Sequence, residues 1–169
     1  MCHCMKRGIT FASLGCFLAY TVVKCQIPLS GSDVPSLSAV HWGMSKDEVK
    51  RQIHQDIQPS GDTALTFQDT FMDSTVRVVM TFGESDSAKG LRFIEIQFDD
   101  KNAEKLRSYL KSRYGDKYET EKKERSKWFF TIHFEAAKWF LKGESVVMVV
   151  FSQGEDVLGL SLLYGRIKQ

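Results

Sequence analysis

Between residues 64 and 164 bulky apolar side chains recur at every second position in run after run, and this period of two limits the possible folds more than any other feature. Successive side chains on an extended strand point to opposite faces, so such runs bury one face and leave the other wet. Leu65, Phe67 and Phe71 alternate along residues 64–71, Val76, Val78, Met80 and Phe82 along 75–82, and Ile94, Ile96 and Phe98 along 91–98. Met72-Asp73-Ser74 is short enough for a hairpin and 83–90 is a longer polar loop, which gives an antiparallel meander. Further on, Trp128, Phe130, Ile132 and Phe134 alternate along a strand and are expected to fill the core. Residues 137–141 and 146–151 then form a hairpin around Gly143, and 157–164 closes the chain.

Two segments break this pattern with helical spacing. Ser45-Lys46-Asp47-Glu48 is a capping box, in which the Ser45 hydroxyl and Glu48 carboxylate satisfy otherwise orphaned backbone donors. Met44 and Val49 are placed as a hydrophobic staple, and Val49, Ile53 and Ile57 extend an apolar stripe, so the spacing predicts a helix over 45–57 that Pro59 and Gly61 end. A second helix runs from Asp99-Asp100 to Tyr114, with Ala103, Leu106 and Leu110 facing the core and Gly115 as terminator. The expected architecture is therefore α+β: two successive helix-plus-antiparallel-meander units, αβββ over 41–99 and αββββ over 100–169, an apparent duplication without obvious sequence identity.

The N-terminus reads differently. Lys6 and Arg7 precede a mostly apolar run over 9–23, shorter than the roughly 20 residues of a comfortable membrane span and matching the core of a secretory signal. Residues 1–25 are read as a signal-like helix, either a signal peptide or an uncleaved signal anchor; Val23-Lys24-Cys25 offers a tolerable cleavage site without a clean Ala-x-Ala. Residues 26–40, with Pro28, Gly31, Pro35 and four serines, read as a flexible linker, and one domain is expected over 41–169. All four cysteines, Cys2, Cys4, Cys16 and Cys25, lie in the leader, so the domain is expected to hold no disulfide, thiolate metal site or cysteine nucleophile. Leu14-Gly15-Cys16 partly resembles a lipobox, which makes Cys16 the candidate for lipidation, although Ser13 stands where Leu is wanted.

Three of the 23 basic side chains, Lys6, Arg7 and Lys24, fall in residues 1–25 and none of the 21 acidic ones does, leaving 20 basic against 21 acidic beyond the leader, a formal −1. That near-neutrality gives no electrostatic reason to expect nucleic acid as partner, and a membrane is expected only through the N-terminal segment. Nor does catalytic spacing stand out. No Gly-x-Ser-x-Gly elbow occurs, and His41, His54 and His133 are not paired at the helical spacing a zinc hydrolase uses. His133 alternates with Ile132 and Phe134 and is expected on the outer strand face, while Glu119, Glu121 and Glu124 among Lys117, Lys122, Lys123, Arg125 and Lys127 read as a solvated edge. No catalytic residue, metal or cofactor is expected.

Trp42-Gly43-Met44-Ser45 leading into Lys46-Asp47-Glu48-Val49 resembles the opening of a helix-plus-meander unit in small bacterial envelope proteins. Leu110-Lys111-Ser112-Arg113-Tyr114-Gly115, followed by Trp128 and the strand with Ile132, resembles a "Leu-x-x-x-Tyr-Gly … Trp … Ile" pattern of such lipoproteins. The resemblance is to outer-membrane-assembly lipoproteins of the SmpA/OmlA type and to the tandem fold of β-lactamase inhibitory proteins, over about residues 41–166. It implies a binding or assembly protein and no catalytic residues. The chain is thus expected to be a noncatalytic exported protein, periplasmic, envelope-associated or secreted, that binds another envelope protein through an exposed sheet face or strand edge. Phe129, Trp139 and Phe140 are the candidate interface residues, as the aromatics left over once the core is filled. The alternative is a small-molecule or lipid carrier using the concavity of the sheet, with a hydrolase behind both.

Overall fold

A computed structural model of the chain describes residues 34–84, 89–127 and 130–166, so the leader with Cys16, most of the expected linker and Phe129 lie outside the described residues. The described chain forms one eight-stranded antiparallel sheet and two helices. In chain order these are α1 (Lys46–Gln52), β1 (Gln58–Pro59), β2 (Ala64–Phe71), β3 (Ser74–Gly83), β4 (Gly90–Phe98), α2 (Ala103–Tyr114), β5 (Glu119–Lys127), β6 (Phe130–Leu141), β7 (Glu144–Gln153) and β8 (Asp156–Arg166). Across the sheet the order is β1-β2-β3-β4-β8-β7-β6-β5.

This corrects the expectation of two successive helix-plus-meander units. β4 and β8 pair from Phe93↔Gly165 to Phe98↔Leu160, so the strands before and after α2 belong to one continuous sheet. The physical reason is the edge: β4 and β8 are apolar strands whose outer backbone groups would otherwise stay unpaired, and joining them removes two edges at once. The interior follows suit. Val49 of α1, Leu106 and Leu110 of α2, and buried residues of β2, β3, β4, β6, β7 and β8 belong to a single hydrophobic core.

The Ser45 capping box forms as the sequence implies, whereas α2 begins at Ala103 rather than at Asp99-Asp100, capped by Asn102, whose side chain accepts the Lys105 N–H. The Ser45 hydroxyl accepts the Glu48 N–H at 3.3 Å, and the Ser45 N–H donates to Glu48 Oε2 at 2.7 Å. Yet α1 stops at Gln52, because Ile53 is already extended at φ −94° and ψ 125°. Ile53 and Ile57 still reach the core. A spacing of four satisfies a strand's period of two as well as a helix's 3.6, so the stripe could not fix the helix's end. The packed region also begins before His41: Val34, Leu37 and Val40, around a 3-10 turn at Pro35–Leu37, are buried, and Ser36 donates to the Asp69 carboxylate through its N–H at 3.1 Å.

The start of the domain is fastened at two points. Trp42 Nε1 donates to Glu144 Oε1 at 2.6 Å in the interior, where Glu144 is 0% exposed. Gly43 N–H donates to the Leu91 carbonyl at 3.1 Å, and Leu91 N–H to the Met44 carbonyl at 2.7 Å. The two backbones approach so closely that a Cβ on Gly90 would sit 2.2 Å from the Gly43 carbonyl oxygen.

Candidate binding face

Strand alternation and register assign every side chain of the sheet to one of two faces. Leu65, Phe67, Val76, Val78, Ile94, Ile96, Leu160, Leu162, Val146, Met148, Ala137 and Trp139 share the face that packs on the helices and forms the core. Their neighbours, among them Thr66, Arg77, Glu95, Leu163, Val147, Val149, Phe151, Phe134, Ile132, Lys123 and Arg125, share the other. α1 and α2 put their buried residues into the core cluster, so among the described residues no helix covers this second face.

Trp139, one of the three candidate interface residues, is 1% exposed and belongs to the core. Its ring stacks on Tyr118 with centroids 4.9 Å apart, and its Nε1 donates to the Gly115 carbonyl at 3.0 Å, which ties the end of α2 to β6. Phe140 is 59% exposed beside the β6–β7 turn. Phe129 lies outside the described residues.

Of the four residues expected to fill the core, Trp128 lies outside the described residues, and for Phe130, Ile132 and Phe134 the expectation is reversed. β6 runs unbroken from residue 130 to 141, so with Ala137 and Trp139 inward, every even-numbered residue points to the helix-free side. Phe130 is 43% and Phe151 36% exposed there, and Phe134 packs edge-on against Phe151 with centroids 4.7 Å apart at 87°. His133 takes the helix-side face but lies beyond the core, where its Nδ1 meets Glu124 Oε1 at 3.1 Å.

The charged stretch read as a solvated edge is β5, an exposed edge strand paired to β6 from Glu119↔Lys138 to Lys127↔Phe130. Intrinsic propensity gives little reason for a strand here; cross-strand pairs do. On the helix side Lys122 meets Glu135 at 3.6 Å and Ser126 meets Thr131 at 2.9 Å. On the helix-free side Glu121 accepts from Lys123 and from Lys138, both at 2.5 Å. Hydrogen bonding by Lys123 first, then Lys138, with their attraction added, holds the Glu121 carboxyl down at about 2. Arg125 has no ion-pair partner among the described residues.

Two open grooves lie on the helix-free face at opposite ends of the sheet. One, about 650 Å³, is lined by Lys123, Glu124, Arg125, Ile132, Phe134 and Phe151. The other, about 460 Å³, is polar, with Gln55, Asp56, Gln58, Gln68 and Arg77 around Thr66, whose hydroxyl is buried without a hydrogen-bond partner among the described residues. No group of three or more His, Cys, Asp or Glu side chains placed to hold a metal occurs among the described residues. The first groove combines an aromatic floor with cationic walls, chemistry suited to recognition: apolar contact supplies affinity and charge supplies selectivity. Compared with protein-family models, with curated proteins and with solved structures, the chain matches none.

Proposed function

We propose that this chain is a noncatalytic exported binding protein that holds another protein of the cell envelope against the helix-free face of its sheet, at the β5–β6–β7 end. One observation carries the reading: Phe130, Phe151, Ile132 and Phe134 are gathered on a face that no described helix covers. Water-exposed aromatics in a group mark an interface more often than scattered ones do. The free edges fit the role less well. β5 presents Lys and Glu side chains along its length, and β1 is two residues ending in Pro59, both devices that discourage strand addition. An open groove also suits a protein surface better than a small lipid, whose sites enclose most of the ligand. Export rests on the basic, apolar leader, and the envelope on the resemblance of Trp42–Val49 to the opening of envelope-protein units.

The test is a photoreactive phenylalanine analogue placed in the cell of origin at Ile132, on the helix-free face, or at the neighbouring Thr131, on the other. Position 132 should give a discrete crosslinked adduct and position 131 none. Equal crosslinking from both, or none from 132, contradicts the proposal.

A further inference from the structure

Resting on the helix-free face as the interface, we propose that the groove at the β5–β6–β7 end selects an acidic, amphipathic segment of the partner protein. Its apolar side chains would seat on Ile132, Phe134 and Phe151, and its carboxylates would meet Lys123 and Arg125.

The argument is one of charge complementarity over an apolar floor. Phe134 and Phe151 are already locked edge to face, so the floor is organised before anything binds and little side-chain freedom remains to be lost. Of the charges nearby, Glu124 stands opposite His133 on the helix side of the sheet, and Glu121 is shared between Lys123 and Lys138. On the helix-free side of β5 and β6, Lys123, Lys138 and Arg125 stand against Glu119 and Glu121, a surplus of one positive charge, and the exposed Arg125 has no counterion among the described residues. A guanidinium is a planar fork that meets a carboxylate with two parallel hydrogen bonds, and it retains that preference at an exposed site better than an ammonium does. Strands stand about 4.8 Å apart, so Arg125 on β5 and Phe151 on β7 are separated by two strand spacings, roughly 10 Å. That separation suits a segment carrying acidic and apolar groups on distinct sides.

Other anionic occupants fit less well. Nucleic acid calls for many basic contacts along a phosphate backbone, whereas this end of the face has a few cations with Glu119 and Glu121 among them. A fatty acid calls for an enclosed apolar cavity, and this groove is open.

The experiment uses the full chain, 15N-labelled, titrated with a capped peptide of alternating Glu and Leu. A Lys/Leu peptide, a Glu/Ser peptide and oleate are titrated in parallel. The Glu/Leu peptide alone should shift the amides of Arg125, Ile132, Phe134 and Phe151. Its affinity should fall about tenfold in Arg125→Glu and by a similar factor on raising the salt from about 0.05 to 0.5 M, as screened charge pairs require. Arg125→Lys should retain part of the binding. The proposal is overturned if the Lys/Leu peptide binds equally well, if oleate shifts the same amides with comparable affinity, or if Arg125→Glu leaves the Glu/Leu affinity unchanged. If no peptide binds while position 132 still crosslinks in cells, the acidic preference fails and the face remains an interface; if neither occurs, both fail.

Discussion

Gly90→Ala perturbs the point where the chain entering α1 is pinned to the sheet. Gly90 has φ +89°, a left-handed backbone that costs an L residue about 1–2 kcal/mol. The added methyl would also stand 2.2 Å from the Gly43 carbonyl oxygen, which is backbone and cannot swing aside as a side chain would. Relieving that overlap separates the strands of hydrogen bonds at 3.1 Å (Gly43 to Leu91) and 2.7 Å (Leu91 to Met44), worth about 1 kcal/mol each. The smaller conformational freedom of alanine in the unfolded chain returns about 0.4–1 kcal/mol. The net expectation is a loss of about 3 kcal/mol. Gly61→Ala is the control: its φ is +74° but nothing lies within 4 Å, so it should lose only about 1 kcal/mol through backbone strain. Urea unfolding of both variants, with unchanged m-values, reads the difference directly. Equal losses would refute the close approach of residues 43 and 90.

Thr66→Val should leave stability unchanged or raise it by up to about 1 kcal/mol in thermal unfolding, since it removes a buried hydroxyl that has no partner among the described residues; a loss above about 1 kcal/mol would mean the hydroxyl is bonded. Trp42→Phe should cost about 1.5–3 kcal/mol by withdrawing a donor from the buried Glu144 carboxylate, and a loss no larger than that of an exposed aromatic substitution such as Phe140→Leu contradicts the fastening. For Glu121, a carbon-detected NMR titration should place the carboxyl midpoint near 2, well below the ordinary 4.5. Because the folded value is depressed, the stabilisation is present above the ordinary value and is lost as pH falls toward 2; Lys123→Ala should move the midpoint upward, and no movement contradicts the pairing. Ser45→Ala should cost about 1 kcal/mol, whereas Ser112→Ala, whose exposed hydroxyl donates to the Tyr109 carbonyl, should cost little; equal effects would contradict the cap.

Local signals were legible where a single residue type decides the outcome. Ser45 and Glu48 announce the start of α1, Gly115 the end of α2, and Gly143 the β6–β7 turn, because each meets a backbone requirement within a few residues. What was not legible depends on partners far along the chain. No local feature says that β4 pairs with β8 some 70 residues on, so the sequence suggested two units where one sheet forms. β5 is held by cross-strand charge pairs, and nothing in its composition favours a strand. The face error at Phe130, Ile132 and Phe134 had a readable remedy: Glu135-Ala136-Ala137 contains no turn residue, so one strand had to run through to Trp139 and only one of the two aromatic sets could face inward. Of the candidate interface residues, Phe140 is exposed, while Trp139 needed knowledge of Tyr118 and Gly115 to be placed inside.

The central claim is that the β5–β6–β7 end of the helix-free face is open in the full chain and carries its exposed aromatics. Hydroxyl-radical footprinting read by mass spectrometry measures this residue by residue. Phe130 and Phe151 should oxidise readily while Trp139 and Phe71, on the core side of the same sheet, remain protected, despite tryptophan's higher intrinsic reactivity. Protection of Phe130 and Phe151 to the level of Phe71 would mean that the face is already covered, and would contradict the account.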